Sequence, residues 1–347
     1  MRIDNIFINP SHGNEPYILG ANISKELSNT LADIQGFAPR IIMPDLYGTR
    51  QRKILQEEKL FLNNMIINDK IGLLSQPLLF KDADYGENLI NFIEFRNRIE
   101  TAVRNDLKKY SGSMIEINTG SMFTSGYPSF FTYPISHTEL FENSLQDPKL
   151  MRQINKNHLS LAADIMLDVE FEIDLFFIPS YSTFSYQKDR IPASDEVPTP
   201  PLKPLPNFCE DEIPEDSVYV MFSGTGTQAD ELSKTVESLQ DVGYNIIMPF
   251  WINQELDVQR AGPEVINHKH LKEVYGRAGW GTIWTCQNAK TRFNHLPFCK
   301  GDEPEVYFNC KTLDTIPMLE ATSGQEAQFG TLDGIKYTAD KILEYLS

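Results

Sequence analysis

Apolar positions along the chain fall into short continuous runs, and the stretches between them have helical spacing. The first run is Ile6 to Asn9 (IFIN), followed by the small polar turn PSHGNEP and the helical pattern ILGANISKELSNTL. The same order returns later. VYVMF (218–222) leads into SGTGTQ and then ADELSKTVESLQDVG. Short apolar runs bounded by turn residues read as strands buried on both faces. A strand, a small-residue turn and a helix together open a doubly wound α/β domain. PRIIMPDL and NIIMPFWI supply the next parallel strand of each half, and GSMIEIN (112–118) and IDLFFIPS (173–180) supply further buried strands. Helical patterns cover 86–109 and 149–169, and a last helix follows Gly334.

The pattern breaks at residues 182–217, which carry Pro192, Pro198, Pro200, Pro201, Pro204, Pro206 and Pro214. Proline fixes φ and removes an amide donor, so this stretch cannot be a helix or a central strand. It reads as an acidic connector. The expected organisation is a Rossmann-like N-terminal domain (1–181), the connector (182–217), a Rossmann-like C-terminal domain (218–330) and a closing helix (331–347).

Composition narrows the function. A chain of 347 residues, 41% hydrophobic and 11% aromatic, can bury a core without metals or disulfides. The balance of 31 basic against 48 acidic residues gives −17, which argues against nucleic acid and anionic membranes as partners. No apolar run reaches the roughly 18 residues of a membrane span, and the opening MRIDNIFINPSHGNEP lacks the apolar core of a signal peptide. The four cysteines form no C-x-x-C pair and suit reduced thiols in a cytoplasmic protein. His268 and His270 are spaced wrongly for one helix face and have no evident third ligand, so no metal site is expected.

Three segments carry candidate chemistry. In VYGRAGWGTIW (274–284), Gly276, Gly279 and Gly281 surround Arg277 ahead of a helical pattern. Such a turn lets backbone amides approach an anion, with the helix N-terminus adding partial positive charge. Downstream, LPFCKGDEPEVYFNCKTL places Asp302, Glu303, Glu305 and Asn309 at a turn entering a helix, which suits a ligand rich in hydroxyls. The first loop offers His12, a side chain with the right proton affinity for a general base, with Glu15 as a second candidate.

The block from 218 to about 313 resembles the donor-binding domain of the GT-B nucleotide-sugar glycosyltransferases. It combines two of their patterns: Arg277, Gly279, Trp280 and Thr282 match the phosphate turn, followed by Pro297 and by E-V-Y-F-N. The resemblance covers roughly the last 130 residues well, the first 50 loosely and the middle hardly at all. It implies two Rossmann-like domains facing each other across a cleft, with the last helix returning to the N-terminal domain. It implies that Arg277, Gly279, Trp280, Gly281 and Thr282 bind the donor diphosphate. Asp302, Glu303, Glu305 and Asn309 would then bind the donor sugar. Gly13, Asn14 and the loop Gly224, Thr225, Gly226 and Thr227 would face the cleft. Two positions depart from the pattern. Near Thr285 there is no acid for the ribose, and Val306 stands where a glutamine is usual.

The expected activity is transfer of a hexose-type sugar from a nucleoside-diphosphate donor, UDP-sugar above all, to a hydroxyl acceptor. It would be metal-independent and inverting, and would need no cofactor. Two competing readings are a non-catalytic binding or regulatory protein of this fold, and a sugar-nucleotide epimerase. The aromatic, glycine-rich stretch 120–134 is a candidate lining for an acceptor pocket, and the charged stretch 45–58 reads as an exposed helix.

Overall fold

The computed structural model describes every residue except 1, 11, 80–84, 181, 187–189, 203–208, 210–211, 222–228, 251–256, 300 and 316–332. The expected apolar runs become strands of two parallel sheets. The first sheet contains β1 (Asn5–Pro10), β2 (Arg40–Pro44), β3 (Met65–Asn68), β4 (Met114–Thr119), β5 (Ser129–Thr132), β6 (Leu175–Pro179) and β7 (Glu196–Thr199). Their order is β3-β2-β1-β4-β5-β6-β7. The second contains β8 (Ser217–Met221), β9 (Asn245–Met248), β10 (Gln259–Arg260), β11 (Leu271–Gly276) and β12 (Arg292–His295), in the order β10-β9-β8-β11-β12. All the pairings are parallel. In each sheet the strand order reverses direction beside the opening strand. Sites of doubly wound folds form there, outside the C-terminal strand ends.

The helices are α1 (Asn14–Gln35), α2 (Thr49–Glu57), α3 (Asp69–Ser75), α4 (Tyr85–Leu107), α5 (His137–Gln146), α6 (Lys156–Glu170), α7 (Ala229–Asp241), α8 (Trp280–Ala289), α9 (Pro304–Leu313) and α10 (Gly334–Leu346). Strand β1 shows why the first sheet needs two helical layers. Ile6 and Ile8 pack with Leu27 and Ile342 in one cluster, and Phe7 between them packs with Val103 and Leu107 in another. Side chains alternate across a strand, so a continuous apolar run demands cover on both faces. Part of that cover is α10, whose Ile335, Ala339 and Ile342 join the core against α1.

The described residues of the proline-rich stretch include regular structure. It holds a short 3₁₀ turn (Thr183–Tyr186) and the edge strand β7, paired with β6. Pro198 is tolerated there because an edge strand can spare an amide. Arg190 fastens the stretch to α5, bonding Glu139 at 3.0 Å and Glu196 at 2.6 Å. The aromatic stretch 120–134 likewise contains a full strand, β5. Among the described residues no helix is long and apolar enough to cross a membrane.

Candidate functional site

His12 follows β1, at the reversal of the first sheet, where the chain turns into α1 through Gly13 at a φ of 100°. Tyr47, just beyond β2, accepts the Gly13 amide at 2.8 Å and lies 3.4 Å from His12 Nδ1. In the tautomer with hydrogen on Nδ1, the imidazole donates to Tyr47 Oη and presents the Nε2 lone pair. Burial lowers the proton affinity of His12, Glu303 pulls it back up and Arg277 adds to the lowering. The net shift is downward, so His12 is neutral near pH 7.

Arg277, Glu303 and His12 form one electrostatic group across the two sheets. Arg277 leaves the end of β11 and bonds Asp302 through Nε at 2.6 Å and Glu303 through Nη2. Burial works against its charge, and the two carboxylates outweigh that and hold it protonated. The carboxylates share this unequally. Burial acts to raise Glu303, but Arg277 and then His12 bring it below its ordinary value. Burial wins at Asp302, which stays above its own. The sequence pattern places Arg277 on a diphosphate and the two acids on a sugar; in the structure both acids are partners of Arg277.

Glu305 lies in the first turn of α9 and is buried. It accepts a hydrogen bond from Tyr133, which comes from the other domain just after β5. Burial first, and then the Glu303 charge, push the Glu305 carboxyl up to about 7. Tyr133 fits because Gly120 has no side chain. A Cβ at that glycine, whose φ is 87°, would lie 2.6 Å from the tyrosine ring. Asn309 departs from the expected sugar-binding role. It is fully buried, bonds Ala278 O at 2.8 Å and accepts from Thr183, tying α9 to the 3₁₀ turn that follows β6. Further along α9, Tyr307 and Lys311 both bond Asp147, at 3.0 Å and 3.1 Å, and the Phe308 ring meets Phe184 at 5.6 Å.

A cavity of about 50 Å³ lies between these groups, lined among others by His12, Ser121, Tyr133, His137 and Glu303. His137 bonds Gly120 O at 2.9 Å, and burial holds its imidazole down at about 4, so it is neutral. Residues 120–123 and Tyr133 therefore place the aromatic stretch on the wall of the cleft.

The glycine turn opens α8, with Gly279 as N-cap and no side-chain cap. Trp280 is buried in the second core, and Thr285 is turned inward onto Gly281 O at 2.7 Å. Glu15 does not join His12 at the cavity. It is exposed in the first turn of α1 and lies against Gly281. Asn14 begins α1. The loop Gly224 to Thr227 lies outside the described residues.

Glu305 and its partner Tyr133 set a pH dependence. A carboxyl with raised proton affinity in the folded state contributes stability that is complete below its unfolded value near 4.5. That contribution is lost as pH rises through about 7. Unfolding free energy should thus fall between pH 5 and 8. Glu305→Gln, which keeps a bonding partner for Tyr133 without the charge, should flatten the fall by on the order of 2 kcal/mol in urea titrations. An unchanged slope would mean the carboxyl is not held neutral.

No family model and no curated protein matches the chain. Solved structures do. The glycotransferase of kitacinnamycin aligns with 99% of this chain and 99% of its own at TM-score 0.60 and 13% identity. Arabidopsis thaliana UGT89C1 complexed with UDP-L-rhamnose aligns with 99% of this chain and 94% of its own at TM-score 0.58 and 11% identity. LpCGTa in complex with UDP aligns with 99% and 94% at TM-score 0.55 and 13% identity. The chain thus has the GT-B fold, as its two facing parallel sheets indicate.

Proposed function

We propose that this chain is a glycosyltransferase that takes a sugar from a nucleoside-diphosphate donor, of the UDP-sugar class, and places it on a hydroxyl acceptor. The observation that carries this reading is the placement of His12 and the carboxylates of α9 on one cleft between two Rossmann-like sheets. Neighbours of the same fold have been solved with UDP or a UDP-sugar bound, which supports the donor class.

In this mechanism the acceptor hydroxyl loses its proton to His12 as its oxygen attacks the anomeric carbon. The bond from that carbon to the diphosphate breaks, and the electron pair leaves on the phosphate. Attack opposite the leaving group inverts the centre, and no metal takes part. The first-turn amides of α8 stabilise the departing charge. Arg277 acts through Glu303, which lies close enough to favour the imidazolium that forms. Glu305, fixed by Tyr133, accepts from a sugar hydroxyl.

A second reading, a binding protein of the same fold without catalysis, draws on one observation: Arg277 is already neutralised by two acids. Calorimetric titration with UDP, ADP, GDP and TDP tests both. Saturable binding of one of them supports a donor site, and release of that nucleotide from its glucose conjugate on a phenolic acceptor panel supports transfer. Binding to none would overturn both readings.

A further inference from the structure

The first turn of α8 already faces a negative charge from the chain itself. Gly279, its N-cap, has no side chain to cap with, and α8 has no acid in its own first turn. The amides of residues 280–282 have no partner one turn back within the helix, since the first such bond runs from Ile283 to Gly279 O at 3.1 Å. A helix end of this kind attracts anions. The carboxylate that meets it comes from the other domain. A Cβ on Gly281 would lie 2.6 Å from Cδ, 2.7 Å from Cγ and 2.8 Å from Oε1 of Glu15. The approach therefore depends on the bare backbone of Gly281. Around Gly279 the space is open, with nothing within 4 Å of a Cβ built there. Leu19, one turn further along α1, packs against the second domain's core, so the two helix starts meet as a docked pair.

Local charge gives this contact its consequence. Arg277, the nearest cation on the turn, is held by Asp302 and Glu303. It offers little to offset a further carboxylate at α8. We propose that Glu15 is an intrachain competitor for the donor's phosphates: its carboxylate occupies the start of α8 when the cleft is closed, and a diphosphate must displace it. This rests on the donor reading above and adds a residue that sets donor affinity. It also gives Glu15 a role other than that of a proton acceptor. Displacement favours a ligand carrying more negative charge than one carboxylate, so the site would prefer a nucleoside diphosphate to the nucleoside.

The test compares the full chain with Glu15→Gln and Glu15→Ala. UDP and uridine are titrated by calorimetry, and amide exchange over 279–283 is followed by mass spectrometry without nucleotide. Both variants should bind UDP roughly ten-fold more tightly than the parent at low salt, with the gain shrinking as salt rises, while uridine binding stays unchanged. Exchange at the start of α8 should quicken in Glu15→Ala. UDP affinity unchanged or weakened in both variants would overturn the proposal and leave the donor site standing. An equal gain for uridine would also overturn it, by assigning the effect to easier opening. UDP bound by none of the three proteins would refute the donor reading and the proposal together, whereas unaltered exchange in Glu15→Ala would refute the contact, and with it the proposal, while leaving the donor reading in place.

Discussion

His12→Ala is expected to lower sugar transfer by about 10²- to 10⁴-fold while leaving UDP affinity within about two-fold, because a general base contributes to the rate and little to donor binding. The imidazole stands at the β1 end, steadied by Tyr47, and burial keeps it neutral and able to accept a proton. The pH profile provides a second readout. A base with lowered proton affinity gives an acid limb in kcat/KM below the ordinary histidine value near 6.5. Activity should rise with pH through that limb and then level off. Tyr47→Phe should leave the limb in place and reduce kcat by a smaller factor, since it loosens the ring without removing it. Full turnover in His12→Ala would transfer the role to another group, and the whole acceptor-side reading would have to be rebuilt.

Arg277→Ala is expected to destabilise the fold by about 3 kcal/mol or more, measured as a lower urea midpoint with an unchanged slope. The substitution leaves Asp302 and Glu303 in low-dielectric surroundings without their cation. Much of the loss is the penalty of stranded charge rather than the net worth of the pairs. It should therefore shrink as pH falls and the two carboxylates take up protons. It should also be largely recovered in Arg277→Met combined with Asp302→Asn and Glu303→Gln. A single variant within about 0.5 kcal/mol of the parent would show that the cluster is solvated and contributes little. The same result bears on ligand studies, since weakened nucleotide binding in Arg277→Ala would reflect a collapsed turn as much as a lost phosphate contact.

The repeated strand, turn and helix made the two sheets legible before any coordinates, because burial on both faces leaves a continuous apolar run that survives without context. Shorter strands were not legible. Residues 129–132 and 196–199 are framed by glycine and proline, which local reasoning assigns to loops; the neighbouring strands override that preference. At the site, the residue types were readable and their partners were not. Arg277 carries the same signature whether it faces a phosphate or two acids from a turn 25 residues away. Asn309 matches a sugar-binding position, yet its contact with Thr183 spans 126 residues of sequence. Tyr133 was embedded in a stretch marked as a possible wall, but its bond to Glu305 exists only because the domains meet. Glu15 was readable as a second candidate base, but its place against Gly281 likewise depends on the two domains meeting.

The packing of α10 bears on how the molecule is made. Ile335, Ala339 and Ile342 complete the core between α1 and the first sheet, yet they are synthesised after every strand of the second sheet. While a ribosome is still building residues 217–295, the first domain therefore has an apolar strip with no cover. Domains generally mature in the order they emerge. Here the first to emerge is the last to be finished, so its window of exposure to chaperones and to aggregation is set by the time needed to translate the second.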